Sequence, residues 1–279
     1  MLIDSIYIKR ALETLPLLII LLVIVSCSSP RDDSVPSLYS IYVKDSFKIY
    51  IDLPPNYSSE TTYSIAFYMD ANLKMGKEIR RQIRLDENRE NLKNVIFVGV
   101  GHIGDYRKLR RRDFIPPVYE NGEATPSQDE YFGHADDFYK FLVFELVPYI
   151  NQNYTDNGRY TFIGHSFSGL FAFYCLMKSE IIFVNHVALS PSLWVNYDNF
   201  FEIEEMFYRE ERALNTMLYH SCGSLEWTNK VLYSSRQMKN TLIGREYAGL
   251  RYKYVEHEGK GHNGVVSVSL EYILKSLRF

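Results

Sequence analysis

From residue 38 onward, short apolar runs alternate with charged stretches of helical period. Residues 40–43 and 47–53 alternate apolar and polar positions across Lys44-Asp45-Ser46, which predicts an opening β-hairpin that stops at Pro54-Pro55-Asn56. The continuous apolar runs 63–69 and 95–100 predict strands buried on both faces, with a charged helix over 74–91 between them. Residues 104–133 carry Pro116, Pro117, Asn121-Gly122 and Pro126 without clear periodicity, and are expected to form a long functional or irregular segment. Asp136 and Asp137 open an aromatic-rich helix that runs to residue 151. Strands over 160–163, 186–189, 216–221 and 251–256 then alternate with helices over 166–178, 200–212, 229–243 and 265–277. Strands separated by helices predict an α/β fold, a mostly parallel central sheet with helices on both faces and an N-terminal β-hairpin. No linker divides residues 38–279, so they are expected to be one domain.

The N-terminus follows another pattern. Lys9 and Arg10 precede an apolar run over 15–25, broken by Pro16, that is too short to span a bilayer comfortably. It ends in Ile24-Val25-Ser26-Cys27, as a bacterial lipoprotein signal does, and the next ten residues are polar and proline-containing. Residues 1–26 are therefore expected to be a signal peptide, Cys27 a lipidation site and residues 27–37 a tether. The chain would then be lipid-anchored in the bacterial cell envelope, periplasmic or at the cell surface. Cys175 and Cys222 remain, either as a disulfide in that oxidising compartment or as buried free thiols.

Composition narrows the classes. The chain has 279 residues, a formal net charge of −3 and 23% charged residues, which argues against a nucleic-acid binder driven by phosphate neutralisation. Three cysteines without a CxxC pair exclude a zinc ribbon and a disulfide scaffold. The sequence sets no oligomeric state.

The chemistry is concentrated in Gly164-His165-Ser166-Phe167-Ser168-Gly169, which follows an apolar strand and opens a helix. That is the setting of a nucleophile elbow. A sharp strand-to-helix turn tolerates only small residues two before and two after the serine, and Gly164 and Ser168 occupy those places. The Ser166 hydroxyl would sit at the positive end of the helix. A serine hydroxyl needs a base, and the base needs an orienting acid. In this arrangement the chain order is serine, acid, histidine. Of seven histidines, His257 and His262 follow the last strand. His262, in the loop Gly259-Lys260-Gly261-His262-Asn263-Gly264, is the favoured base over His257, which sits between Glu256 and Glu258. Glu226 follows the strand over 217–221 and is the favoured acid, with Asp198 as runner-up. The backbone N–H of Phe167 should donate to an oxyanion, joined by that of Ala71 or Asn72 in the loop after the strand ending at Met69.

The chain resembles the esterase family of α/β-hydrolases that includes enterochelin (siderophore) esterases, S-formylglutathione hydrolase, and feruloyl and acetyl-xylan esterases. The likeness runs from about residue 40 to 275. It is carried by residues 48–57 (KIYIDLPPNY), by Tyr68-Met-Asp-Ala-Asn72, by Arg112-Asp-Phe-Ile-Pro116 and by the helix containing Glu145-Leu-Val-Pro-Tyr-Ile150. Ser190-Pro-Ser-Leu-Trp194 and Cys222-Gly-Ser-Leu-Glu226 resemble the siderophore-esterase branch. Ala71 and Ser168 stand where that family usually has glycine. The resemblance implies an α/β-hydrolase fold and a serine esterase working through an acyl-enzyme, with no metal or organic cofactor and a small-molecule ester as substrate. Arg107, Lys108, Arg110, Arg111 and Arg112 place five bases in six residues. With Trp194 they read either as a rim for an anionic ester, such as a ferric tricatecholate, or as a solvated run. A carbohydrate esterase, and a surface glycan or siderophore binder without turnover, are the alternative readings.

Overall fold

The computed structural model describes residues 35–279 except 121–122, 126, 179–181, 196 and 229. The expected signal peptide, Cys27 and most of the tether lie outside these residues. The strands are β1 (Ser37–Ser40), β2 (Asp45–Asp52), β3 (Tyr63–Tyr68), β4 (Val95–His102), β5 (Val118–Glu120), β6 (Glu123–Thr125), β7 (Asp156–His165), β8 (Phe183–Leu189), β9 (Met217–Gly223) and β10 (Arg251–His257). The helices are α1 (Lys74–Ile83), α2 (Arg89–Leu92), α3 (Tyr106–Phe114), α4 (Ala135–Lys140), α5 (Val147–Asn153), α6 (Phe167–Leu176), α7 (Tyr197–Arg209), α8 (Val231–Arg245) and α9 (Gly264–Ser276). A π-helical stretch, Phe141–Leu146, joins α4 to α5.

Eight strands form one sheet in the order β1-β2-β4-β3-β7-β8-β9-β10, and β5 and β6 form a small separate ribbon. β1 and β2 are antiparallel, β2 is antiparallel to β4, and the remaining pairs are parallel. Side chains alternate across the central strands. Ile65 and Phe67 of β3 pack with the α4–α8 side, and Ala66 and Tyr68 with the α1, α2 and α9 side. The first side is built on aromatic edges: the Phe138 ring lies 5.3 Å from Phe47, 5.2 Å from Phe114 and 5.3 Å from Phe171. Cys175 and Cys222 are both free and buried, so the disulfide alternative is not formed.

Three expectations need correction. The helix expected over 74–91 is broken: α1 ends at Ile83, and a short 3-10 turn, Asp86–Asn88, leads into α2. The hairpin's first strand lies at Ser37–Ser40 rather than 40–43, because the chain turns at Lys44 with φ 57° and leaves Ile41 exposed. Residues 104–133 are not irregular throughout. They contain α3, whose N-terminus is capped by Asp105 accepting the Arg107 N–H at 3.1 Å, and the β5–β6 ribbon. The mainly charged sequence of α3 concealed its period, since only Leu109, Asp113 and Phe114 are buried.

The parallel strands β3, β4, β7, β8, β9 and β10 all end at the same edge of the sheet, so the loops after them converge there. His186 and His220 lie deep in β8 and β9, and burial pushes each imidazole down to about 3. The unfolded chain takes up these protons below roughly pH 6.5 and the folded chain does not. Stability contributed by the neutral rings is therefore complete above pH 6.5 and declines as the pH falls toward 3. The urea midpoint should drop between pH 7 and pH 5; an unchanged midpoint would contradict the burial of these rings.

Candidate active site

β7 runs into α6 through Ser166, which holds φ 63° and ψ −117°. A non-glycine residue there carries backbone strain of about 1–3 kcal/mol, so the surroundings must enforce it. Three backbone hydrogen bonds do so: the Ser166 N–H to the Leu189 carbonyl at 3.0 Å, and the N–H groups of Leu170 and Ser192 to the Ser166 carbonyl, both at 3.0 Å. A Cβ on Gly164 would stand 2.0 Å from the Ser168 carbonyl oxygen, so the turn closes only over glycine at that place. Ser168, in the position where glycine is usual, is fully buried, and its hydroxyl accepts the His165 N–H at 2.9 Å.

Glu226 lies in the turn after β9 and is 1% exposed. Its Oε1 accepts the Ser190 hydroxyl at 2.6 Å and the Gly223 N–H at 2.8 Å, and its Oε2 accepts His262 Nδ1 at 2.7 Å. Burial alone would raise the carboxyl pKa. The bonds from His262, Ser190 and Gly223 outweigh it, so the net shift is downward and the group is an anion at neutral pH. A proton on Nδ1 pointing at this carboxylate leaves Nε2 of His262 as the free basic nitrogen. The acid loop and the histidine loop are laced together by Leu225 N–H to Lys260 O at 3.0 Å and Ser224 N–H to His257 O at 3.0 Å. A Cβ on Gly223 would meet the Lys260 carbonyl at 2.1 Å, which lets the loops approach this closely only over glycine. His257 is committed elsewhere, its Nε2 2.9 Å from Ser269 Oγ in α9. The side chain of Asp198 lies outside the described residues.

The elbow and the histidine loop also touch. His165 Nε2 bonds the His262 carbonyl at 2.8 Å, and the two rings are 4.5 Å apart. Burial, then the neighbouring His262, hold His165 down to about 4, so it is a neutral hydrogen-bond donor to the loop that carries His262. Ser166 Oγ lies 3.3 Å from Ser192 Oγ, and in this rotamer no hydrogen bond joins it to His262 among the described residues.

The oxyanion loop follows β3. Ala71 is fully buried and its N–H is spent on the Val100 carbonyl at 3.0 Å, so Ala71 is not a donor to the site. The Leu73 N–H bonds the Asp70 carbonyl at 2.8 Å. This leaves the N–H of Asn72, with that of Phe167, as the pair available to an oxyanion. The methyl of Ala71 sits against Gly99, where a Cβ would come within 2.7 Å of it. The Asn72 side chain anchors the same loop through Nδ2 to the His102 carbonyl at 2.9 Å.

The five bases do not act together. Arg110 pairs with Asp70 at 2.6 Å, and Arg112 with Asp45 at 2.9 Å and Asp113 at 2.6 Å. Arg111 lies over Phe132, Lys108 over Tyr131 and Arg107 over Tyr106, without a carboxylate partner among the described residues. Arg107 and Lys108 follow β4, and Trp194, 37% exposed, follows β8. The start of α3 and the segment after β8 both lie at the sheet edge that carries Ser166. Sequence reading assigned no role to Ser190 and Ser192, although the family likeness already ran through both, and it missed Asp70 and His165. Their contacts span residues far apart in the chain and leave no local pattern.

A strained serine at a strand-to-helix bend, with a Glu-oriented histidine at the same sheet edge, defines an α/β-hydrolase. The sequence model of the family described as "Putative esterase" matches residues 40–255, and the chain belongs to that family; it is a carboxylic ester hydrolase. Among curated proteins it is 27% identical to the ferri-bacillibactin esterase BesA of Bacillus subtilis over 248 residues, 84% of each chain. Among solved structures it is similar to the BES protein from Bacillus cereus, with a TM-score of 0.74 and 25% identity over 91% of this chain and 98% of that one. The siderophore hydrolase EstB from Aspergillus nidulans gives a TM-score of 0.74 at 18% identity, over 87% of this chain and 93% of that one.

Glu226→Gln should lower kcat for an aryl ester by roughly 10²- to 10⁴-fold, since the amide no longer fixes the imidazole tautomer. Steady-state kinetics on the folded variant test this; a change within twofold would remove Glu226 from the machinery.

Proposed function

We propose that Ser166, His262 and Glu226 are a catalytic triad, and that the protein is a lipid-anchored envelope esterase cleaving siderophore esters of the enterobactin trilactone kind. The observation that carries the mechanism is the 2.7 Å bond from His262 Nδ1 to a buried carboxylate, beside a serine held at positive φ. The reaction requires Ser166 Oγ to rotate away from Ser192 and toward His262 Nε2. His262 takes the Ser166 proton as Oγ bonds to the ester carbonyl carbon. The carbonyl oxygen becomes an oxyanion facing the N–H groups of Phe167 and Asn72. The C–O bond to the alcohol then breaks, and the alcohol leaves with the proton from His262. Water, deprotonated by His262, adds to the acyl-enzyme; collapse frees the acid and returns the proton to Ser166.

The siderophore assignment draws on the relatives, which are named for ferri-bacillibactin and siderophore hydrolysis. It also draws on the chemistry of the rim. Arg107, Lys108 and Arg111, unpaired with carboxylates among the described residues, suit an anionic substrate, and Trp194 and Tyr106 offer partly exposed rings for stacking on a catechol. Neither departure from glycine favours a binder without turnover: Ser168 fits within the closed elbow, and Ala71 packs against Gly99 in the loop after β3. Membrane attachment through Cys27 is drawn from the N-terminal sequence alone.

The test is a screen of detergent-solubilised full-length protein against enterobactin-type trilactones, feruloyl esters and acetylated xylan. The trilactone should give the highest kcat/KM, and Ser166→Ala should lose at least about 10³-fold in kcat. Hydrolysis retained in Ser166→Ala would overturn the mechanism, and a preference for feruloyl or acetyl esters the substrate. In a bacterial host, Cys27→Ala should move the protein out of the membrane fraction; unchanged fractionation would overturn the anchor.

A further inference from the structure

We infer that Ser168 is a positioning residue for ester hydrolysis: its hydroxyl couples the Asp70–Arg110 ion pair to the nucleophile elbow and so sets the oxyanion loop. The inference rests on the triad reading above. Asp70 opens the oxyanion loop, two residues before Asn72, with φ 59° and 2% exposure. Its carboxylate is gripped by Arg110 Nε at 2.6 Å and Nη2 at 3.0 Å. The Arg110 guanidinium lies 5.4 Å over the Phe167 ring, and its Nη2 also reaches the His165 carbonyl at 3.2 Å.

Ser168 closes this arrangement. Its Oγ accepts the His165 N–H at 2.9 Å and donates to Asp70 Oδ2 at 3.0 Å, with the His165 carbonyl 2.9 Å away as a second acceptor. One hydroxyl thus joins the side chain that starts the oxyanion loop to the backbone just before the nucleophile. Glycine at 168 would leave the His165 N–H without this acceptor and Asp70 tied to the elbow only through Arg110. The two N–H groups for the oxyanion lie on opposite sides of the tie: Asn72 on the Asp70 loop, Phe167 on the elbow. Their separation decides how well they fit a tetrahedral oxyanion, and placement errors well under 1 Å already reduce such stabilisation. The ion pair has a second effect. Arg110 cancels a carboxylate charge that would otherwise oppose a developing negative charge nearby.

This role acts on the transition state and leaves ester binding alone, so it separates kcat from KM. Ser168→Ala removes the hydroxyl and keeps the Asp70–Arg110 pair. It should lower kcat for an aryl ester by roughly tenfold with KM within twofold, at a temperature well below the variant's Tm. The rate of Ser166 modification by a fluorophosphonate, which forms a similar oxyanion, should fall in parallel. In a double-mutant cycle with Asp70→Asn, the double variant should lose no more than Asp70→Asn alone. Wild-type kcat and labelling rate in Ser168→Ala, or losses that multiply in the double variant, would overturn the inference. If Asp70→Asn does not fold, Ser168→Ala decides by itself. Failure of the triad reading is seen separately, as absence of Ser166 labelling in the wild-type protein.

Discussion

The backbone of Ser166 is the constraint on which the site depends. A residue at φ 63° relaxes unless it is held, and here the holding groups come from three directions. Leu189 and Ser192 flank it across β8, Gly164 removes the Cβ that would collide with the returning chain, and α6 starts one residue later. The bend lifts the hydroxyl clear of the sheet and places the Phe167 N–H at a helix N-terminus. A relaxed turn would lose both at once.

Around that bend the loops are joined in pairs. The acid loop is bonded to the histidine loop through Lys260 and His257, the histidine loop to the elbow through His165, and the elbow to the oxyanion loop through Ser168 and Arg110. The ties through His165, Ser168 and Arg110 use buried or half-buried polar groups with their partners in place, which is how a low-dielectric site keeps fixed dipoles. The sheet supplies the common edge, and the polar ties supply the spacing.

The elbow, the pairing of His262 with Glu226 and the α/β order were legible because each rests on a local signal. A small-residue string between a strand and a helix locates Ser166, and chain order after successive strands locates Glu226 and His262. What escaped depended on contacts between distant segments. Ala71 was an equal candidate for the oxyanion because nothing local shows that its N–H is already taken by Val100. The five bases of α3 read as one patch because the sequence does not reveal that Asp70, Asp45 and Asp113 claim two of them. Ser168 read as a tolerated departure from glycine because its two partners, Asp70 and the His165 N–H, meet only in the folded chain.

The distribution of the proposed triad over separate crossover units has a consequence for biogenesis. Hydroxyl, carboxylate and imidazole follow β7, β9 and β10 in turn, and the last joins the others only when β10 has been added at the edge of the sheet. On the proposed triad, a nascent chain that has built the sheet as far as β8 holds the serine but not its base. Hydrolytic competence therefore arises late and all at once, and turnover reports a completed molecule rather than a partly assembled one.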